Sequence, residues 1–352
     1  MMILQEKHEL DSMEMRAAYC QALIDEATAN ERIVAVNCDL RSSMGLKPFA
    51  AAYPERELNV GIQEANGCSM AAGMSAAGLI PFFNTFSVFA SRRVYDQIFQ
   101  SCAYAGLNVK IIGGDAGVSA ALNGGTHMPF EDLGIMRLIP GVKVTEASDA
   151  VMLRALIHQI AEEYGVHYLR FCRKALPKIY KEGTDFVIGK AMTVHDGSDV
   201  TVITYGMLVN EALKAAEELA AESISVRVLD MFTIKPIDRE AVLRAAAETG
   251  AIVTAENHHV MGGLNAAVAE VLVSADPVPV ESVGVGDEFG EVGSLDYLME
   301  RFALTAPHIS SAVRRALQRK GCTENSSIPN TTGKKGRIPA SRQRRGAGIL
   351  FL

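Results

Sequence analysis

The chain has 352 residues, is 49% hydrophobic and 21% charged, and carries a net charge of −7. That supplies apolar material for two domains at the usual scale of about 100–200 residues each, while the acidic balance argues against nucleic acid as the main partner. No apolar run approaches the roughly 18 residues of a membrane span, and neither the start of the chain nor its six cysteines, which lack CxxC spacing, suggest secretion or a metal site, so a cytoplasmic protein with reduced core thiols is expected.

Residues 16–29 read as a helix, 32–38 as an apolar strand, and Asp39-Leu40-Arg41-Ser42-Ser43 as the loop at that strand's carboxyl end. A strand is predicted over 58–62 and a helix over 64–78. Residues 109–113 form a strand followed by a Gly-rich loop, 113–127. A strand over 142–145, a helix over 150–164 and a strand over 166–171 complete a first unit. The stretch 174–199 is rich in charge, Gly and Pro without periodicity, as in a linker with edge strands. A second unit opens with a strand over 200–204. Its helix places Val209, Ala212, Leu213, Ala216, Leu219 and Ala220 on one face, the i, i+3, i+4, i+7 pattern. Strands over 224–229 and 251–255 follow, and Gly262-Gly263 opens another helix.

Such alternation predicts an α/β fold of two successive three-layer domains with mostly parallel sheets, residues 1–185 and 190–318. Residues 319–352 hold eight Lys/Arg against Glu324 alone, a charge of +7 that leaves −14 on the rest. Rich in Ser, Thr, Asn, Gly and Arg, this tail cannot bury a core and is expected to be disordered.

Three constellations could carry chemistry. Glu64 opens a helix in which Ala71, Ala72, Gly73, Ser75, Ala76, Ala77 and Gly78 follow. A carboxylate in a first helical turn is ordinary, because the dipole favours it by about 0.3–1 kcal/mol. Small residues, however, suit a close approach of another backbone, and a carboxylate desolvated there would be protonatable and useful. Pro81-Phe82-Phe83-Asn84-Thr85-Phe86-Ser87-Val88-Phe89 is either an aromatic core strand or a stacking platform for a planar ring. Asn123-Gly124-Gly125-Thr126-His127 lies in a loop after a strand, where ligand sites of open α/β sheets occur. A lone loop histidine is more often simply solvated.

In their order and spacing, Gly61-Ile62-Gln63-Glu64, Pro81-Phe82 with Thr85-Phe86 and Phe89, Gly125-Thr126-His127 and Arg137-Leu138-Ile139-Pro140 resemble the pyrimidine-binding half of a transketolase. Residues 200–285, with Thr254-Ala255-Glu256-Asn257-His258 and Gly262-Gly263-Leu264-Asn265, are similar to that family's carboxyl-terminal domain. The resemblance covers residues 14–318. It implies thiamine diphosphate as cofactor and transfer of a two-carbon ketol unit from a ketose to an aldehyde. It implies that Glu64 hydrogen-bonds a ring nitrogen of the cofactor's aminopyrimidine, that Phe86 stacks on that ring and that Phe89 lines the same pocket. By the same resemblance His127 contacts the donor sugar, while Ser43 and Arg173 bind a substrate phosphate.

Two departures bear on the substrate. Asp115 stands where the family often has a phosphate-holding histidine, and Asn123 where it usually has an acidic residue that reads a sugar hydroxyl. The cofactor half of the site is thus intact and the sugar half altered, which implies substrates other than the usual pentose phosphates. The family's Gly-Asp-Gly…Asn motif for diphosphate and magnesium is missing. The resemblance therefore implies one subunit of a split transketolase, in a heterotetramer with an amino-terminal transketolase-like subunit that holds Mg2+. Other readings are the β subunit of a 2-oxoacid dehydrogenase, which shares the two-domain plan, and a non-catalytic partner protein. Arg93 with Tyr95-Asp96-Gln97 also resembles deoxyxylulose-phosphate synthase.

Overall fold

Runs of apolar residues too short for helices become strands covered on both faces, as parallel sheets require. In the computed structural model, which describes residues 8–325, these are β1 (Ile33–Asn37), β2 (Glu57–Asn59), β3 (Ile80–Phe86), β4 (Lys110–Gly114), β5 (Lys143–Glu146) and β6 (His167–Phe171). The second half supplies β7 (Met192–His195), β8 (Val200–Thr204), β9 (Val226–Asp230), β10 (Thr233–Lys235), β11 (Ile252–His259) and β12 (Val280–Val285). They form two sheets, ordered β10-β5-β6-β4-β3-β1-β2 and β12-β11-β8-β9-β7. All neighbours run parallel except β10 against β5 and β7 against β9. The expected fold class is what the chain adopts. Among the described residues no helix is long and apolar enough to cross a membrane.

Helices cover both faces of the first sheet. Met15–Ala29 and Ala150–Glu162 pack together in one apolar core, and Glu64–Ala76 lies over β3 in the other. The aromatic run at residues 80–86 is a fully buried strand, so the core-strand reading of that segment holds for Phe82 and Phe83.

Several boundaries differ from the sequence reading. The strand expected over 58–62 is the short, half-exposed edge strand β2. Asn59 ends it by accepting hydrogen bonds from the main-chain N–H of Asp39 and Gly61, both at 3.0 Å. Gly61 then turns with φ +75° and leaves Ile62 72% exposed. The final helix, Ala306–Asn325, runs beyond residue 318, so residues 319–325 of the expected tail are helical. Arg319 anchors that end on Glu281 at 2.8 Å and on the Val280 carbonyl at 2.6 Å. Residues 326–352 of the tail lie outside the described residues.

Buried charge joins the two halves. Arg170 is fully buried on β6, with Nη1 donating to Asp132 at 2.5 Å and Nε to Glu146 at 2.5 Å. Its Nη2 reaches the main-chain carbonyl of Asn257 in the second half at 2.9 Å. Burial pushes the Glu146 carboxyl up to about 7 in spite of the guanidinium beside it. Arg170→Met should therefore cost about 3–5 kcal/mol, the penalty for leaving buried carboxylates uncompensated. Protonating Glu146 favours the folded state, a contribution present at acid pH and lost as pH rises through about 7. The deficit should accordingly be greatest in alkaline buffer. Denaturant unfolding at several pH values measures it, and an unchanged midpoint would show that the network is energetically idle.

Candidate functional site

Four adjacent strands, β6, β4, β3 and β1, deliver their carboxyl ends to one edge of the first sheet. Strand register aligns Phe86 with Gly114 and Gly114 with Phe171. The residues just beyond, Asp115 and Arg173, are consequently neighbours, and the loop after β1 brings Ser43 to the same edge. Gly113 lacks a side chain because a Cβ there would lie 2.8 Å from the Ser87 Cα.

Glu64 is the first residue of the helix Glu64–Ala76 and is 2% exposed. Its Oε2 accepts a hydrogen bond from Arg93 Nη1 at 2.6 Å, and its Oε1 has the Thr85 hydroxyl at 3.5 Å. The small-residue helix is only partly explained by packing within the chain. Gly67 lets it close on Phe83, where a Cβ would come within 3.0 Å of that ring. Gly73, Ala76, Ala77 and Gly78, in contrast, face outward.

Phe86 ends β3 and Phe89 sits in the short helix Ser87–Ser91, their ring centroids 6.2 Å apart and the planes inclined by 28°. His127 places its ring edge-on to Phe89 at 5.3 Å and to Phe86 at 6.2 Å. Its Nδ1 lies 3.0 Å from the Thr126 hydroxyl. The loop histidine is thus held against the aromatic pair.

Asp115 is 1% exposed and adopts a left-handed backbone, φ +62°. Its Oδ1 accepts from Arg173 Nε at 2.5 Å and its Oδ2 from Asn123 Nδ2 at 3.2 Å. Burial pushes the Asp115 carboxyl up, and the Arg173 ion pair opposes that rise. The carboxylate that stands in place of the family's histidine is thus paired directly with Arg173. Arg173 also covers the Phe86 ring, its guanidinium carbon 4.7 Å from the centroid, and reaches the Ser43 main-chain carbonyl at 3.5 Å. Ser43 therefore meets Arg173 through its backbone.

Two contributors lie outside the sequence expectations. Arg93 stands out in the sequence, but not as the partner of Glu64. Asn257 pins the Gly-rich loop from the second half, its Oδ1 accepting from Val118 N–H and its Nδ2 donating to the Ala116 carbonyl, both at 2.9 Å. A Cβ on Gly117, φ +51°, would overlap that amide at 2.1 Å. The visible signal is the Thr254–His258 run itself, in which Asn257 and His258 reach the first half while Glu256 accepts from the main-chain N–H of Leu264 and Asn265. Among the described residues no group of His, Cys, Asp and Glu could hold a metal ion. A cleft of about 530 Å3 at the opposite end of the strands, beside Arg32, Asn108 and Tyr164, contains none of these residues.

Comparisons with known proteins agree with this architecture. Residues 11–178 match the family profile "Transketolase, pyrimidine binding domain" and residues 189–309 match "Transketolase, C-terminal domain". The chain is 48% identical over 312 residues to a 6-deoxy-6-sulfo-D-fructose transketolase subunit of Clostridium sp. (strain MSTE9), spanning 89% of this chain and 97% of that protein. It is 37% identical to an apulose-4-phosphate transketolase subunit of Phocaeicola vulgatus, over 78% of this chain and 88% of that one. Against the transketolase of Homo sapiens it is 35% identical, covering 86% of this chain but 49% of the human protein. A solved structure described as a split gene transketolase, inactive beta4 tetramer, superposes with a TM-score of 0.81 at 42% identity, over 88% of this chain and all of that one. These similarities do not favour a 2-oxoacid dehydrogenase subunit or a non-catalytic relative. The chain belongs to the transketolase family, as a transferase subunit corresponding to its pyrimidine-binding and carboxyl-terminal domains.

Proposed function

We propose that this chain is the carboxyl-terminal subunit of a split transketolase, working in a heterotetramer in the cytoplasm with an amino-terminal subunit. The observation that carries the reading is Glu64, a buried carboxylate with one oxygen bound by Arg93, whose guanidinium lies over the Phe89 ring, and the other barely engaged. We take residues 1–185 as the domain that holds the cofactor's pyrimidine and 190–318 as the carboxyl-terminal domain, extended by the helix to Asn325.

The residues present suit one end of thiamine diphosphate. A flat aminopyrimidine needs an acceptor at a ring nitrogen and apolar faces, and Glu64, Phe86 and Phe89 are of those kinds. Among the described residues no cluster of His, Cys, Asp and Glu could hold a metal ion, and this reading assigns Mg2+ and the diphosphate to the partner subunit. When bound, the cofactor supplies the electron sink for cleaving the ketose carbon–carbon bond. Glu64 would share a proton with the ring nitrogen, Phe86 and Phe89 would face the ring and keep water from it, and His127 would orient the donor. Asp115, Asn123, Arg173 and Ser43 face the far end of the sugar.

That far end disfavours a doubly charged group. A phosphate within about 4 Å of Asp115 meets a repulsion of about 4 kcal/mol for each unit of its charge at an effective dielectric near 20. Arg173, already bound to Asp115, offsets part of it. Asn123 is neutral and can both donate and accept. The relatives' named substrates, a sulfonated sugar and a phosphorylated one, show that such subunits differ in this choice. The preferred pair should therefore differ from xylulose 5-phosphate with ribose 5-phosphate. Ketol transfer by the assembled complex over a panel of ketoses tests the activity. Asp115→His with Asn123→Asp should raise the kcat/KM ratio of phosphorylated to unphosphorylated donors. A wild type that uses xylulose 5-phosphate as well as the double variant would remove these residues as determinants.

A further inference from the structure

We propose that Arg93 is the positioning residue for Glu64: it holds one carboxylate oxygen so that the other remains for the cofactor's ring. This rests on the reading of Glu64 above. The geometry is asymmetric. Glu64 is 2% exposed, whereas the Arg93 side chain is 43% exposed and reaches inward to it. Its Nη1 takes Oε2 at 2.6 Å, and Oε1 has only the 3.5 Å contact from Thr85.

Arg93 is itself fixed on a second side. Its guanidinium carbon lies 3.9 Å from the Phe89 centroid, within cation–π range, while Phe89 in turn faces Phe86 and His127. A planar cation clamped by a ring on its face and a carboxylate on its edge has little rotational freedom. The same plane therefore fixes Glu64 relative to the aromatic pair. Lysine keeps the charge but lacks the flat fork, so it cannot satisfy both contacts in one pose.

The neighbouring arginine does other work. Residues 92–94 form a tight turn between the short helices Ser87–Ser91 and Tyr95–Gln97, which sends the two side chains apart. Arg92 pairs with Glu131 at 2.8 Å and approaches the Thr126 carbonyl at 3.5 Å, beside His127. Of the two arginines, Arg93 is the one that touches Glu64.

The test is a double-mutant cycle in the complex of this chain with its amino-terminal partner. The variants are R93M, R93K, E64Q and E64Q/R93M. Cofactor affinity is read by calorimetry, kcat and KM by ketol transfer, and integrity by thermal unfolding. R93M should weaken cofactor binding about tenfold, as loss of a charge-assisted contact does. It should lower kcat on the order of 10²-fold, as a misplaced reacting group does, with donor KM nearly unchanged. R93K should recover part of both losses and, sharing the wild type's charge, covers the case in which R93M unfolds. In the E64Q background R93M should add less than about twofold, because the two residues act as one unit. A harmless R93M, or losses that simply add, would overturn the proposal while leaving Glu64 in place. A harmless E64Q would remove both readings together.

Discussion

Glu64→Gln in the assembled complex should lower kcat by about 10²–10⁴-fold, the range lost when a positioned proton-transfer group is removed. The amide is nearly isosteric, so the loss is chemical. Arg93 Nη1 donates at 2.6 Å to the carboxylate, which will orient the amide with its oxygen toward the guanidinium. The NH2 group is then left at the position of Oε1, where it can donate but cannot take or share a proton with a ring nitrogen. Stability should change far less, because the amide oxygen keeps the hydrogen bond from the half-exposed Arg93 and the lost helix-dipole interaction contributes about 0.3–1 kcal/mol. Steady-state kinetics beside thermal unfolding separates the two effects. Turnover near that of the wild type would end the assignment.

Partner dependence should be close to all-or-none. On the proposed reading the chain alone would offer the cofactor two aromatic rings and one carboxylate, and among its described residues there is no cluster of His, Cys, Asp and Glu that could hold a metal ion. Charge-assisted bonds to phosphate are the strong ones in such a site, and they would come from the other polypeptide. Calorimetry of thiamine diphosphate into this chain, with and without Mg2+, should show no micromolar binding. Adding the amino-terminal subunit should restore tight binding that disappears with a chelator. Micromolar binding by the isolated chain would contradict the division of the site between two subunits.

The sheet strands are legible in the sequence because parallel strands covered on both faces appear as unbroken apolar runs, as in β1 and β8. Elements defined by distant partners are not. β10 is three residues long and becomes a strand only by pairing with β5. The apolar pattern overextends β2 because the side chain of Asn59 decides where pairing stops. The helical start of the basic tail is hidden when composition is averaged over a segment that changes character within it.

Glu64, Phe86, Phe89 and His127 can be picked out because their motifs come in a familiar order, and the structure gathers them at one edge. The ion pairs Arg93–Glu64 and Arg173–Asp115 join positions 29 and 58 residues apart. Nothing in local spacing says which carboxylate an arginine will find. Consequently the sequence sets both Asp115 and Arg173 at the substrate's phosphate, and only the fold shows that they pair with each other.

The loan of β10 to the first sheet has a consequence for how this polypeptide is made. During synthesis residues 15–171 emerge first, and they contain every parallel strand of that sheet. Yet β5, whose last three residues are buried in the finished fold, stays an open border until residue 235 has followed. Such a border is a template for unwanted pairing with another nascent copy. A fragment cut near residue 185 would keep that defect permanently. The two domains are separate in family terms but form one unit in biogenesis, and swapping the second between relatives means supplying a compatible closing strand for the first.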